Sequence, residues 1–266
     1  MVELQKKPHI LVMCVFLLLL GGCATLPDNS NNEITSFLKD TQHTYLGRQF
    51  ESSQQEGDNL SGFLLLENGL DAFVARVALA QKAERSIDTQ YYLLHNDLVG
   101  NLFVDQLHKA ADRGVRVRLL LDDIDMEGRD FGAAVLDSHP NIAVRIFNPF
   151  SRSVGRTRQY IFGFGKKTRR AHNKSFTVDN QAAILGGRNI GDEYFDADPD
   201  FAFLDGDILA TGPVVEQVSY SFDKYWNSDL SYPISILLKK KPSSDEISAK
   251  KRLFDAFIAE QWNSPY

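Results

Sequence analysis

Residues 172–189 read HNKSFTVDNQAAILGGRN, and this stretch decides how the rest of the chain is interpreted. His172 and Lys174 stand two positions apart, so on an extended strand both side chains project from the same face. A neutral imidazole beside an ammonium can attack or bind an anionic centre, and the cation should lower the pKa of the imidazole. The apolar run 182–185 predicts a second strand directly after the first.

Two glycines and an amide follow that second strand. Gly186 and Gly187 carry no side chain, so the backbone could approach a bound phosphate closely, and Asn189 could donate to its oxygens. The sequence places no cysteine, second histidine or dense carboxylate cluster near the stretch. We therefore expect neither a metal nor another cofactor here.

The body of the chain alternates strand and helix patterns. Predicted strands are Gly62–Leu66, Ser86–Leu94, Val115–Leu121 and Ile142–Phe147, and predicted helices are Leu70–Lys82, Leu98–Arg113 and Phe131–Leu136. This order indicates βαβ units, an α/β fold and a largely parallel sheet with helices on both faces. Tyr92–Asp97 and Asp122–Asp125 follow strands, where ligands bind in such sheets, although loop and helix-cap roles are favoured over direct catalysis.

The N-terminus has the pattern of a targeting signal. Two lysines precede an apolar run at 10–20, which is too short to span a bilayer. The string LGGC at 20–23 resembles a bacterial lipobox, so we expect a signal peptide at 1–22 and acylation of Cys23. Ala24 favours the outer membrane, and 23–60 are expected to form a polar tether with one short helix near 34–38. The alternative is an ordinary signal peptide that happens to contain a cysteine.

Charge limits the choice of partner. The 266 residues carry a net charge of −6, which disfavours a general nucleic-acid binder. Residues 151–171 nevertheless hold seven basic residues and no acid, with three aromatic rings between them. This composition suits an anionic phospholipid membrane; nucleic-acid phosphates and a solvated loop without a partner are the alternatives.

The spacing HxK-x₄-D-x₆-G-[GS]-x-N resembles the signature of the phospholipase D superfamily, and 172–189 match it at every fixed position. The flanks RRAHNK at 169–174, GGRNIGDEYF at 186–195 and YWNS at 225–228 are similar to bacterial cardiolipin synthases and their lipoprotein relatives. The resemblance covers roughly 60–235. It implies an α/β/α sandwich with a mixed, largely parallel sheet over 61–235.

The resemblance also implies roles for individual residues. His172 resembles the nucleophile that forms a phosphohistidine intermediate, and Lys174 the cation that neutralises the phosphate oxygens. Asn189 and the Gly187 backbone would hold the same oxygens. Asp179 is the acid of the motif, but its position five residues after Lys174 suggests a structural role. Asp200 is the candidate for the carboxylate that orients the histidine from the next strand.

Family members of this architecture are about twice as long and build one site from two HxK segments, whereas only one lies in this sequence. The chain would pair with itself, pair with a separately encoded half, or be inactive. Residues 236–266 predict a linker, a capping box starting at Ser243 and an amphipathic helix from Ile247 to Trp262. Its stripe (Phe254, Phe257, Ile258, Gln261 and Trp262) either covers this domain or meets the missing half.

These features together predict a membrane-anchored phosphatidyltransferase of cardiolipin-synthase type that acts on phosphatidylglycerol-like lipids. A phosphodiesterase acting on nucleic acid and a partner-dependent or inactive half are the alternatives.

Overall fold

A computed structural model of the protein describes residues 25–51, 60–162, 165 and 167–263, and its centre is an eight-stranded sheet. The strands are β1 (Gly62–Leu66), β2 (Ser86–Tyr91), β3 (Arg116–Asp122), β4 (Ile142–Phe147), β5 (Ser175–Val178), β6 (Ala182–Gly186), β7 (Asp207–Thr211) and β8 (Ser231–Pro233). Their order across the sheet is β1-β7-β6-β5-β2-β3-β4-β8.

Helices cover both faces of this sheet. They are α1 (Tyr45–Glu51), α2 (Gly69–Lys82), α3 (Leu98–Asp112), α4 (Asp130–Asp137), α5 (Arg156–Phe162), α6 (Val214–Trp226), α7 (Ile234–Leu237) and α8 (Ser244–Asn263). Leu119 and Leu121 of β3 pack in the core with α2, α3 and α4, whereas Leu120 packs with Phe222 and Trp226 of α6. Alternating side chains of one strand therefore enter two cores, which confirms the predicted α/β/α sandwich.

The sheet is mixed, but the expectation that it is largely parallel is wrong. Only the pairs β2–β3 and β3–β4 are parallel. The other five neighbouring pairs are antiparallel. The βαβ pattern that predicts parallel pairing ends at β4. The short turn between β5 and β6 then forces an antiparallel hairpin, because a parallel connection needs a long crossover.

Capping residues at the helix ends explain why the ends of these helices could be predicted closely from the sequence. Asn68 accepts from the Asp71 N–H at the start of α2, and Asp97 accepts from the Gly100 N–H at the start of α3. Gly114 adopts φ 93° just after α3, a conformation that glycine enters without steric cost. The observed ends of these elements lie within a few residues of those predicted.

The segment predicted to be a polar tether is docked on the body where the structure describes it. Asn29 donates to the Ser231 carbonyl, the Thr35 N–H donates to Asn227, and the buried Phe37 donates its N–H to Asp223. The short helix lies at Tyr45–Glu51 and not near 34–38. Backbone and side-chain groups of this segment thus serve as hydrogen-bond partners for the domain.

The C-terminal helix begins with the predicted capping box. The Ser243 N–H donates to Glu246, and the Glu246 N–H donates to the Ser243 hydroxyl. Helix α8 lies against α3 and α4 and buries Ile258, while Phe254 and Phe257 are half-buried. The stripe therefore covers this domain in part; the Trp262 side chain lies outside the described part.

Across the described residues, no helix combines the length and the apolar composition that crossing a bilayer requires. The predicted signal peptide and the predicted acylation site at Cys23 lie outside the described residues.

Candidate active site

The ends of five strands meet at one edge of the sheet. Ser175, at the start of β5, is opposite Gln90 near the end of β2, and Leu185 of β6 is opposite Ser175. Gly186 is in turn opposite Asp207 at the start of β7. Because β2 and β3 are parallel, Asp122 at the end of β3 lies at this edge as well. The topology thus gathers the loops around 92, 122, 172, 187 and 205.

His172 and Lys174 lie side by side at this edge. Both immediately precede β5 and are not on it, yet their side chains converge as the spacing predicted. The Lys174 Nζ is 3.2 Å from His172 Nδ1, 3.5 Å from Nε2 and 2.9 Å from the His172 carbonyl oxygen. Lys174 is buried, whereas His172 is exposed. An external ester can therefore reach the imidazole, while the ammonium is held behind it.

Tyr92 forms an aromatic wall for this pair. The Tyr92 and His172 ring centroids are 4.6 Å apart, and the Lys174 Nζ lies 5.3 Å from the Tyr92 ring centroid. The ring limits the rotamers of both basic side chains and attracts the ammonium through its π face. Tyr92 was noted in the sequence only as part of a strand end, and its role as a neighbour of His172 was missed.

The environment favours a neutral imidazole. Partial desolvation of the ring by its neighbours, followed by the positive charge of Lys174, lowers the pKa of His172 below its ordinary value. Burial also lowers the pKa of Lys174, and the negative charge of Asp205 opposes that change. A neutral imidazole has a free lone pair, and the adjacent ammonium can neutralise charge on a phosphate; the pair is chemically suited to attack on a phosphodiester.

Asp122 fixes the chain just before the histidine. Its carboxylate accepts from the Ala171 N–H at 2.7 Å and from Arg170 Nη1 at 3.0 Å, and Arg170 also donates to the Asn148 carbonyl oxygen. Ala171 is buried. These contacts restrict the backbone that carries His172, so Asp122 is a positioning residue, which agrees with the loop interpretation of 122–125.

The glycine pair fits closely against carboxylates. A Cβ at Gly187 would lie 1.8 Å from Asp205 Oδ1, and a Cβ at Gly186 would lie 1.9 Å from Asp207 Oδ1. The Gly187 N–H donates to the Gly206 carbonyl oxygen. In this arrangement the N–H is engaged within the protein, and the close approach that requires glycine is made by the protein's own side chains. The contact of Gly187 with a phosphate stays a prediction.

Asn189 is likewise engaged within the protein. Its Oδ1 accepts from the Leu93 N–H at 3.0 Å, and its Nδ2 donates to the Tyr194 hydroxyl at 2.9 Å. The side chain is buried. It ties the loop after β6 to the segment that carries Tyr92, so its contacts position the site, and the direct phosphate contact stays a prediction.

Asp179 lies at the other end of β5. Its carboxylate accepts from the N–H groups of Glu84, Arg85 and Ser86 at 2.8–3.0 Å and is fully buried. Asp179 lies five residues after Lys174 along this extended segment, a distance of roughly 16–17 Å at about 3.3 Å per residue. The structure therefore supports the structural role and places Asp179 away from the imidazole.

Asp200 is not on the next strand. It lies on an exposed loop before β7, and its N–H donates to the Asp198 side chain. The carboxylate whose charge acts on Lys174 belongs to Asp205, two positions before β7. The irregular loop at 196–206 gave no periodicity from which this alignment could have been predicted.

Part of the basic segment pairs with the protein's own acids, namely Arg152, Arg156 and Arg170. Arg152 forms ion pairs with Asp123 and Asp130, and Arg156 donates to the Ile124 carbonyl oxygen and pairs with Asp123. These contacts lie within the protein, so a loop without an external partner stays an alternative to membrane or nucleic-acid binding. Less positive charge is available for a membrane or a nucleic acid than the composition suggested.

One group of side chains could hold a cation. Among the described residues, ligand atoms of His95, Asp97 and Glu193 lie within 4.8 Å of one another. However, both Asp97 oxygens already accept backbone N–H groups, and His95 Nδ1 lies 3.1 Å from Glu193 Oε1. Hydrogen bonds and ion pairs within the protein account for this group.

The chain is similar in sequence to known proteins. A family model described as cardiolipin synthase, PLD-like domain, matches residues 77–226. Cardiolipin synthase C of Escherichia coli is 50% identical over 177 residues, which are 66% of this chain and 37% of that protein. An uncharacterized protein of Helicobacter pylori is 37% identical over 251 residues, which are 94% of this chain and 50% of that protein.

A solved structure shares the fold. The phosphatidylserine synthase of Haemophilus influenzae superposes with a TM-score of 0.51 at 15% identity, covering 74% of this chain and 44% of the other. The chain spans about half or less of the length of the curated relatives it matches. Since the family model covers more than half of the chain and includes the whole of 172–189, the chain belongs to the phospholipase D-like domains of the cardiolipin synthase family.

Proposed function

We propose that this chain supplies one catalytic half of a phosphatidyltransferase of cardiolipin-synthase type that acts on phosphatidylglycerol-like phospholipids. The observation that carries the proposal is the exposed His172 ring with the Lys174 ammonium 3.2 Å from its Nδ1. Membership of the cardiolipin synthase family supports the choice of lipid phosphodiesters as substrates.

The proposed reaction has two displacements at phosphorus. A ring nitrogen of His172 attacks the phosphodiester, the bond from phosphorus to the glycerol oxygen breaks, and a phosphatidyl-histidine forms. The hydroxyl of a second lipid then attacks phosphorus, and the bond from phosphorus to nitrogen breaks. Lys174 stabilises the charge that builds on the non-bridging oxygens, and a preorganised donor of this kind contributes roughly 10²–10³ in rate.

The departing alkoxide needs a proton, which we assign to a second HxK half. This half comes from another copy of the chain or from a separate polypeptide. The support is that His172 is the one histidine followed two positions later by lysine, and that the chain spans about half or less of its curated relatives' length. Without that half, the first displacement lacks its general acid.

Membrane attachment through acylated Cys23 is part of the proposal, with the outer membrane as the expected location. The support is the LGGC string at 20–23. Metabolic labelling with a radioactive fatty acid tests it: the wild-type protein should incorporate label and sediment with membranes. Cys23→Ser should lose both properties, and label retained in that variant would contradict the assignment.

The activity is tested with the purified protein on vesicles of phosphatidylglycerol, with cardiolipin and free glycerol as readouts. Equal formation of both products, lost in His172→Ala, is expected from a dimer or from a complex with a second half. Free phosphatidic acid without cardiolipin would indicate hydrolysis. Vesicle binding without either product, in every assembly, would favour a non-enzymatic half, and salt-dependent cleavage of DNA would favour the nuclease alternative.

A further inference from the structure

A cavity of about 470 Å³ lies between α3, α4 and α8, on the face of the sheet opposite α6. Leu119 and Leu121 of β3 form its floor, Val104 and Phe131 line its sides, and Ile247 and Phe254 of α8 contribute the remaining wall. Protein interiors are otherwise close-packed, and cavities of 300–1,000 Å³ are typical of small-molecule sites. This space is large enough to hold a ligand.

Helix α8 leaves its inner stripe incompletely covered. Ile258 is buried, but Ile247 and Phe254 stay half-buried although both face the cavity. Along the rest of the described helix the surface is mostly exposed and charged. An apolar occupant would complete the burial of these side chains, which the protein's own residues do not achieve.

The charged side chains that line this cavity are all basic. None of its described lining residues is an aspartate or glutamate, whereas Arg129, Lys250 and Lys251 all line it. Arg129 is paired with Asp125, and the charge of Lys251 acts on the exposed Asp112, so Lys250, with Lys251 beside it on the exposed rim of α8, remains for an external anion. This local excess of positive charge occurs in a chain of net charge −6. A cavity with apolar walls and a cationic rim matches a ligand with an apolar tail and an anionic head.

The cavity adjoins the segment that carries Tyr92. Leu94 and His95 line it, and the His95 N–H donates to the Ile190 carbonyl oxygen at 2.8 Å. Tyr92, three residues before His95, packs on His172. The cavity is therefore separate from the His172 imidazole, but the loop that lines it also carries Tyr92, which packs on that ring.

We propose that this cavity binds a long-chain fatty acid as its carboxylate, with the tail between α3, α4 and α8 and the head near Lys250 and Lys251. One acyl chain suits a cavity in the lower half of the range for small-molecule sites. The proposal is independent of the phosphatidyltransferase assignment, because none of its residues acts on phosphorus in that reaction.

Equilibrium binding of dodecanoate and 1-dodecanol to the purified full chain, below micellar concentrations, tests this site. Wild type should bind dodecanoate saturably with one site per chain. Lys250→Glu combined with Lys251→Glu should weaken dodecanoate at least tenfold and leave dodecanol within about twofold, because only the head is repelled. Lys239→Glu combined with Lys241→Glu makes the same charge change away from the cavity and should alter neither ligand.

Val104→Trp fills the cavity and should abolish binding of both ligands, with circular dichroism confirming the fold. If that variant does not fold, the two surface double variants still decide the matter, since they change only exposed side chains. Absence of saturable dodecanoate binding to folded wild type would overturn the proposal. Equal weakening by the two charge reversals, or unchanged binding by folded Val104→Trp, would also overturn it.

Discussion

The two ends of strand β5 carry parts of one motif but have opposite environments. At one end, the exposed His172 lies against the buried Lys174 ammonium and the Tyr92 ring. At the other end, the Asp179 carboxylate is fully buried and accepts from three consecutive backbone N–H groups. One end is open to an ester, and the other is closed by the start of β2.

Within the eight residues from His172 to Asp179, one end carries the proposed reactive groups and the other end stabilises the sheet. The hydrogen bonds of Asp179 hold the start of β2 against the end of β5, which keeps the two strands in register. That register in turn places Tyr92, just beyond β2, beside His172. The acid of the motif thus supports the site from roughly 16–17 Å away, measured along the strand from Lys174. Substitutions at the two ends should therefore change different measured quantities.

The largest effect is expected at the open end. His172→Ala should reduce phosphatidyl transfer by about 10⁴ or more, because the nucleophile is lost. The free energy of unfolding in urea should change by less than about 0.5 kcal/mol, since the ring is exposed. A large loss of stability would show that the two ends are not distinct.

Lys174→Met should reduce transfer by roughly 10²–10³ while keeping a side chain of similar volume. Lys174→Arg is the matched control, because it keeps the charge but changes the donor geometry. The loss of transfer in Lys174→Arg is expected to be smaller than that in Lys174→Met. Equal losses in the two variants would indicate that packing of this buried side chain, and not its charge, is what the site needs.

At the closed end the expected loss is in stability. Asp179→Ala should lower the free energy of unfolding by about 3 kcal/mol, because three backbone N–H groups lose a fully buried acceptor. Alanine also fits poorly at the φ of 51° that Asp179 adopts. Asp179→Asn keeps one acceptor oxygen and tolerates that conformation, so its loss should be smaller.

The activity of the folded Asp179→Asn protein should stay within about threefold of wild type. A loss comparable to that of His172→Ala, in a protein with unchanged unfolding free energy, would assign Asp179 to the chemistry and contradict the separation of the two ends.

The pH dependence sharpens the account of the open end. The neutral form of His172 is the nucleophile, so transfer should rise as pH increases through its pKa. Because burial and Lys174 lower that pKa, the rise should be centred below the ordinary 6.5. In Lys174→Met the His172 pKa, followed by NMR of the ring, should move upward. A midpoint above 6.5 in wild type would contradict the arrangement.

The smallest effect is expected from the carboxylates of the loop before β7. Asp205→Asn should alter transfer only a few-fold, because Asp205 acts on Lys174 through charge without a direct ion pair at 4.0 Å or less. Asp200→Asn, on the exposed part of the same loop, should leave transfer unchanged. A larger loss of transfer in Asp200→Asn than in Asp205→Asn would support Asp200 as the carboxylate that orients His172.

The sequence predicted what local pattern determines. Period-two and helical patterns located the strands and helices, and the two-residue spacing brought His172 and Lys174 together. It did not predict that the glycines after β6 accommodate Asp205 and Asp207, because that contact joins segments about 20 residues apart through an irregular loop. Nor did composition reveal that Arg152 and Arg156 are paired with acids from a distant loop. Long-range pairing of charges leaves no periodic signal.

The central claim is that His172 becomes covalently bonded to phosphorus. For the direct measurement, the protein assembled with its second half is mixed with phosphatidylglycerol and the reaction is quenched rapidly. Mass spectrometry then locates the adduct on the protein. We predict an acid-labile phosphatidyl adduct on His172 that is present in Asp179→Asn and absent in His172→Ala. An adduct on a different residue, or undiminished transfer by His172→Ala, would contradict the account.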